Sequence, residues 1–90
     1  MPIRIEIIPG NPPSVNQNTV RVSRGKNDRV EWHSTSNDWA VVFDGPTPFE
    51  RYYYSPCNPG NTQLTGAQGS YKYTVFVNGQ KTDPIIIVDP

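Results

Sequence analysis

The stretch NTVRVSRGKNDRVEWHSTSNDWAVVFD, residues 18–44, decides the fold class of this 90-residue chain. It contains three short segments in which the larger apolar side chains recur at every second position: 19–23, 29–33 and 39–43. A period of two is typical of β-strands with one buried face, because successive side chains of a strand point to opposite faces. A Gly-containing turn and a polar loop separate the segments. We therefore expect three strands here, with Val30 and Trp32 directed into the core.

The same pattern continues on both sides of this stretch. Residues 2–8 predict a strand, and residues 71–77 predict another with Tyr71, Tyr73, Val75 and Val77 on one face. The dipeptide at 78–79, Asn-Gly, is a strong hairpin signal, although a following Asp-Pro pair predicts a connection wider than two residues. The run at 85–88 is apolar on both faces and predicts a central strand covered on both sides.

Residues 44–69 interrupt this regularity with an irregular excursion, DGPTPFERYYYSPCNPGNTQLTGAQG, that holds four prolines and four glycines. Neither the helical nor the strand period persists along it, so we expect only short edge strands near 52–54 and 62–65. A loop of this length in a small domain is often functional. The chain as a whole, residues 1–90, predicts one all-β sandwich domain of about seven strands.

Composition excludes several classes of function. Eight Lys and Arg balance eight Asp and Glu, so the formal net charge is zero and the surplus of positive charge that nucleic-acid binding needs is missing. The single cysteine, Cys57, excludes an internal disulfide and a Cys-rich metal site. No apolar run approaches the roughly 18 residues of a membrane span, so we expect no membrane insertion. The N-terminus lacks a secretory pattern, which predicts a cytoplasmic protein, with a mature exported domain as the alternative.

Two stretches, residues 18–44 and 69–88, resemble the plastocyanin-type cupredoxins. The first resembles their x-V-x-V-x-x-G-D-x-V-x-F/W segment, which leads through a polar loop to H-N-V-x-F-D. The second, GSYKYTVFVNGQKTDPIIIV, resembles their C-terminal G-x-Y-x-Y/F-x-C-x-x-H-x-x-x-x-M-x-G-x-V-x-V segment. The resemblance implies an antiparallel Greek-key β-sandwich or barrel. Immunoglobulin-like sandwiches share the G-x-Y-x-Y-x-V strand and are the alternative fold.

The resemblance also implies a copper site, whose positions do not carry its ligands in this chain. The family's first histidine falls on Trp39, its cysteine on Val75, its second histidine on Asn78 and its methionine near Asp83. Type 1 copper needs two imidazoles and a thiolate, usually with a weak axial thioether. This chain has one histidine, one cysteine and one methionine. We therefore expect a copper-free relative with no metal and no cofactor.

Catalytic constellations are also missing from the sequence. His33 takes the face of its strand opposite the core and is expected to be a surface residue. A general base needs an orienting partner and a nucleophile within reach, and no second histidine, G-x-S-x-G elbow or paired acidic motif accompanies it. Cys57 has no adjacent basic residue that would stabilise its thiolate, so we expect an inert thiol. The sequence predicts that the protein is not an enzyme.

Binding is the function that the excursion predicts. Three consecutive tyrosines on a strand must divide between its two faces, so at least one should point to solvent. A tyrosine combines an apolar ring with a polar tip, which suits a protein surface or a sugar ring. The candidate residues for a protein or carbohydrate partner are Trp39, Phe49, Arg51, Tyr52, Tyr53 and Tyr54.

Three other interpretations remain open at this point. The aromatic residues could all belong to the core, which would favour a structural role. The protein could form a homo-oligomer through its apolar C-terminal strand. It could also transfer electrons through an atypical metal site.

Overall fold

The period-two segments become strands in the computed structural model, which describes residues 3–90. Met1 and Pro2, the latter at the start of the predicted 2–8 strand, lie outside the described residues. Within them the chain forms ten strands and no helix, which confirms the all-β class. The strands are β1 (Ile3–Ile8), β2 (Ser14–Val15), β3 (Thr19–Ser23), β4 (Val30–Ser34), β5 (Trp39–Val42), β6 (Tyr53–Tyr54), β7 (Gly69–Lys72), β8 (Thr74–Val77), β9 (Gln80–Thr82) and β10 (Ile85–Asp89). No segment of residues 3–90 is an apolar helix long enough to cross a membrane.

The strands form three sheets, in the orders β2-β1-β4, β3-β10-β7 and β6-β5-β8-β9. The expectation of a purely antiparallel arrangement is wrong, because β1 pairs with β4 in parallel and β10 pairs with β3 in parallel. In the first pairing Ile5 lies opposite Trp32. Parallel partners cannot be joined by a tight hairpin, and other strands lie between them in the chain. Local alternation carries no information about such distant partners.

The predicted strand at 71–77 is divided between two sheets. Residues up to Lys72 pair with β10, whereas residues from Thr74 onward pair with β5. The change occurs at Tyr73, whose backbone N–H donates instead to the Pro84 carbonyl at 3.1 Å. The side-chain alternation continues through this break, so Tyr73, Val75 and Val77 are all buried as expected. A single run of alternating residues therefore serves both sheets.

The Asn-Gly dipeptide forms a two-residue hairpin, as its sequence predicts. Asn78 and Gly79 have φ angles of 51° and 80°, and Val77 lies directly opposite Gln80. Positive φ at both central positions is the geometry of the type I′ turn. The expectation of a wider connection is wrong, because the short strand β9 follows the turn at once and comes before Asp83 and Pro84.

Strand β10 is central within its sheet, although only one of its faces is buried. Ile86 and Val88 are inaccessible, whereas Ile85 is 36% exposed and Ile87 is half-buried. The prediction of cover on both faces is therefore wrong. The predicted central position is confirmed, because both edges of β10 are paired, with β3 and with β7.

An aromatic cluster around Trp32 forms the centre of the core. The ring centroid of Trp32 lies 4.9 Å from that of Tyr54, 5.6 Å from Tyr73, 6.2 Å from Phe49 and 6.3 Å from Phe43. Three of these pairs are edge-to-face, the arrangement that ring quadrupoles favour. The indole Nε1–H of Trp32 donates to the Tyr73 hydroxyl at 3.4 Å, so the buried donor has a partner.

The excursion at 44–69 is fastened to this core at several points. Phe49 is buried against Trp32 and forms an isolated bridge with Leu64, in place of the predicted strand at 62–65. Residues 59–61 lie along the free edge of β4, where Trp32 N–H donates to the Pro59 carbonyl at 2.8 Å. Gly60 in this segment has a φ of 118°, and a Cβ there would lie 2.6 Å from the Val30 carbonyl oxygen. Only glycine permits this close approach.

Candidate functional site

The six candidate binding residues divide into a buried group and an exposed group. Tyr52 and Tyr53 are 61% and 55% exposed, and Arg51 is exposed beside them. Two of the three consecutive tyrosines therefore face solvent, in agreement with the expectation of at least one. The structure places the other three candidates in the core: Trp39, Phe49 and Tyr54.

The buried candidates have structural surroundings that account for them. Trp39 is 7% exposed and lies on β5, opposite Val77 of β8. It lines a small hollow of about 250 Å³ that His33 also lines. Tyr54 packs on Trp32, and its hydroxyl lies 2.7 Å from Thr62 Oγ1. Burial raises the pKa of the Tyr54 phenol above its ordinary value. These side chains offer little surface to a partner.

The exposed candidates surround a second, larger hollow. Its volume is about 560 Å³, and we name it the tyrosine hollow. Six residues line it: Glu50, Arg51, Tyr52, Tyr53, Ser55 and Asn58. All six belong to the irregular excursion, the part of the chain in which the sequence predicts binding. Its size falls within the roughly 300–1,000 Å³ that is typical of small-ligand sites.

The residues that line the hollow with the two tyrosines include one positively and one negatively charged side chain, Arg51 and Glu50. With the Asn58 amide oriented so that its oxygen faces Arg51, that oxygen accepts hydrogen bonds from Nη1 at 3.1 Å and Nε at 3.2 Å. Glu50 Oε1 accepts from the backbone N–H of Gln63 at 2.9 Å, which fixes the carboxylate. The hollow thus contains one guanidinium and one carboxylate, and their formal charges cancel.

Hydrogen bonds to backbone groups hold the rim of the tyrosine hollow in place. The carbonyl of Arg51 accepts from Thr47 Oγ1 at 2.9 Å, and the carbonyl of Tyr52 accepts from Phe43 N–H at 2.7 Å. Ser55 and Asn58 exchange two backbone hydrogen bonds, at 3.2 and 2.9 Å. Tyr53 lies in β6 opposite Val42 of β5. A surface fixed in this way loses little conformational entropy when it binds a ligand.

Three residues that line the hollow are not predicted from the sequence: Glu50, Ser55 and Asn58. Asn58 lies near the tyrosines because the chain reverses its direction at Ser-Pro-Cys-Asn, residues 55–58. Turns of this kind are recognisable in sequence. The turn signal was present in residues 55–58, but nothing in it shows which side of the reversed chain faces Arg51. Glu50 carries no signal of its own, since an isolated acidic residue in a loop is ordinarily solvated.

Two other reactive side chains, His33 and Cys57, do not line the tyrosine hollow. His33 Nε2 lies 2.5 Å from Glu31 Oε1 on β4, and Cys57 is exposed. Over residues 3–90 no group of three or more His, Cys, Asp or Glu side chains is placed to hold a metal ion.

Of the four positions matched to copper ligands, two are core and two are hydrogen-bonded at the surface. Trp39 and Val75 are buried. Asn78 Oδ1 accepts from Ser36 Oγ at 2.7 Å, and Asp83 Oδ1 accepts from Thr74 Oγ1 at 2.9 Å.

Comparison with known proteins adds no relative to this description. A scan against protein-family models found no match, and searches of curated proteins and of solved structures found none either.

Proposed function

We propose that this chain is a non-enzymatic binding module, a copper-free domain of cupredoxin-like architecture, that recognises its partner at the tyrosine hollow. The observation that carries the proposal is the exposure of Tyr52 and Tyr53 beside a hollow of about 560 Å³. Two adjacent exposed tyrosines offer a large apolar contact area with polar tips, and tyrosine is enriched among binding hot spots.

The backbone of the hollow supports the same proposal. Tyrosine has only two side-chain torsions, so it supplies a large contact area at a low entropic cost. The hydrogen bonds of Arg51 and Tyr52 to Thr47 and Phe43 fix the chain from which the rings project. Rings presented from a fixed backbone are suited to recognition.

The lining of the tyrosine hollow favours binding over catalysis. Among the described residues that line it there is no cysteine and no histidine that could activate Ser55. His33 lines the smaller hollow near Trp39 instead.

Fragment mapping by NMR tests the proposal without knowledge of the natural ligand. A library of small polar and aromatic fragments is titrated into ¹⁵N-labelled protein, and the shifted amides are assigned. We expect the shifts to concentrate on residues 50–58. The double variant Tyr52→Ala/Tyr53→Ala should lose these shifts. Its free energy of unfolding should differ from that of the parent by no more than about 0.5 kcal/mol per substitution, as is usual for surface changes.

Phe76→Ala is the matched control for this experiment. Phe76 is also an exposed aromatic residue, 42% accessible, and it lies on β8 opposite Ala40. Its removal should leave the fragment shifts at residues 50–58 unchanged. Fragments that gather around Phe76, or that spread evenly over the surface, would contradict the proposal.

A further inference from the structure

The tyrosine hollow presents hydrogen-bond donors and acceptors side by side. Arg51 only donates, an ionised Glu50 only accepts, and the amide of Asn58 and the hydroxyls of Ser55, Tyr52 and Tyr53 do both. Each of these residues lines the hollow. A ligand that covers these groups must supply partners for those of their polar atoms that have none within the protein, because a desolvated polar group without a partner costs about 1–3 kcal/mol.

This mixture discriminates among the ligand classes. A proline-rich peptide offers backbone carbonyl acceptors, and its prolines have no N–H, so they would offer no donor to Glu50 Oε2, the carboxylate oxygen that the Gln63 N–H does not occupy. A nucleic acid or another polyanion requires an excess of positive charge, whereas Arg51 stands beside Glu50 and the chain's formal net charge is zero. A saccharide meets both demands, because every hydroxyl can donate and accept at once.

The shapes of the groups also match a sugar. Carboxylate and amide are planar groups with two polar atoms side by side, and a planar guanidinium presents pairs of N–H donors along its edges, a geometry that matches a pair of neighbouring hydroxyls. The C–H face of a pyranose ring is apolar, and a tyrosine ring provides a flat apolar surface for it together with a polar tip. Because Tyr52 and Tyr53 are both more than half exposed, the site is open, and a chain of sugar units can extend beyond it.

From these observations we infer that the tyrosine hollow binds a neutral saccharide, with the rings of Tyr52 and Tyr53 packed on sugar faces and with Glu50, Arg51 and Asn58 hydrogen-bonded to its hydroxyls. This inference rests on the proposed function of the same hollow. It adds the chemical class of the ligand, namely an uncharged oligosaccharide.

The inference is tested by calorimetry and affinity electrophoresis against three defined sets of probes. The first contains neutral oligosaccharides and polysaccharides built from glucose, xylose, mannose or N-acetylglucosamine. The second contains anionic polymers, polygalacturonate and a sulfated glycan, and the third is a decaproline peptide. We expect at least one neutral saccharide to bind in the millimolar range or tighter, and the other two sets not to bind.

Variants identify the contacts. Tyr52→Ala and Tyr53→Ala should each weaken saccharide binding by about tenfold or more, a loss of about 1.4 kcal/mol. Glu50→Gln keeps one acceptor and should weaken binding less than Glu50→Ala does. Phe76→Ala should bind as the parent does, and thermal melting should show that all the variants are folded.

Failure of this inference is distinguishable from failure of the proposed function. If fragments gather at residues 50–58 while no neutral saccharide binds, or while decaproline or a polyanion binds there, the ligand class is wrong and the binding role stands. If a saccharide binds with an affinity that the tyrosine variants leave unchanged, the saccharide site lies elsewhere and the inference is overturned. If fragments also avoid the hollow, both proposals fall.

Discussion

Tyr73 is a buried residue of the core whose burial has a measurable effect on its pKa. Its ring is 1% exposed among the aromatic side chains around Trp32, and its hydroxyl accepts the Trp32 indole N–H at 3.4 Å. Desolvation disfavours the phenolate far more than the neutral phenol. Burial therefore raises the pKa of Tyr73 to about 12.

This shift makes the protein sensitive to alkaline pH. Because the folded pKa of Tyr73 lies above its unfolded value of about 10, the native state binds the proton more tightly, and the resulting stability is complete below about pH 10. It is lost as the pH rises from about 10 to about 12, and the loss amounts to roughly 2–3 kcal/mol. Tyr54 contributes in the same direction, since burial raises its pKa too. Urea unfolding at about pH 9 and at about pH 11.5 measures the difference.

Tyr73→Phe is the control for this prediction. The variant loses the hydroxyl that pairs with Trp32, so it should be less stable than the parent by about 1 kcal/mol at neutral pH. It should also lose less stability between pH 9 and pH 11.5, because the titrating group is gone. Equal losses in the parent and in Tyr73→Phe would show that Tyr73 does not titrate as its burial requires.

Single residues also show how far the sequence could be interpreted. The inward orientation of Val30 and Trp32 follows from alternation, and both are buried. The burial of Phe49 and Tyr54 does not follow from it, because the excursion has no period. These two rings are buried by their contacts with Trp32, some 20 residues earlier in the chain, and local sequence does not encode such contacts.

Among the elements, β10 shows the same division between local and distant information. Its apolar run predicts a strand correctly. Its neighbours are strands that lie at residues 19–23 and 69–72, and the pairing with the first is parallel. Neither the partner nor the direction can be obtained from the residues of β10 themselves. The break at Tyr73 likewise depends on which sheet each half of the run joins.

The central place of β10 gives a stability prediction with a control on its opposite face. Ile86 is fully buried, whereas its neighbour Ile85 is 36% exposed. Ile86→Ala should lower the free energy of unfolding by about 2–5 kcal/mol, the usual cost of removing a buried aliphatic side chain. Ile85→Ala should lower it by about 1 kcal/mol or less, since its side chain is only partly removed from water. Thermal and urea unfolding measure both.

The comparison of Ile85→Ala with Ile86→Ala also tests whether the outward face of β10 is covered in solution. If the two isoleucine variants are equally destabilised, another molecule covers the outward face of β10 in solution. Such a result would favour the homo-oligomer interpretation through side-chain contact. Backbone pairing between copies along β10 is excluded in this structure, because both of its edges are already occupied.

At the scale of the whole molecule, the side chains that could ligate copper are few. The described residues have a radius of gyration of 12.1 Å, close to the roughly 12 Å expected of a compact domain of this length. Within that volume the single histidine, His33, is paired with Glu31, and Cys57 lies in the exposed turn of the excursion. Any tight metal site would require the fold to bring such groups together.

Copper uptake tests this distribution, and with it the alternative of an electron-transfer protein. Protein incubated with excess Cu(II) and then desalted should be colourless and should retain well under one copper per chain, because type 1 copper requires two imidazoles and a thiolate, which this chain does not have. Metal analysis and the visible spectrum measure the two quantities. Copper that binds loosely at His33 should be removed by a chelator and should be absent from His33→Ala, which separates it from a built site. Stoichiometric copper that survives the chelator with an intense visible charge-transfer band would contradict the prediction, because a thiolate–copper centre would then have to form from Cys57.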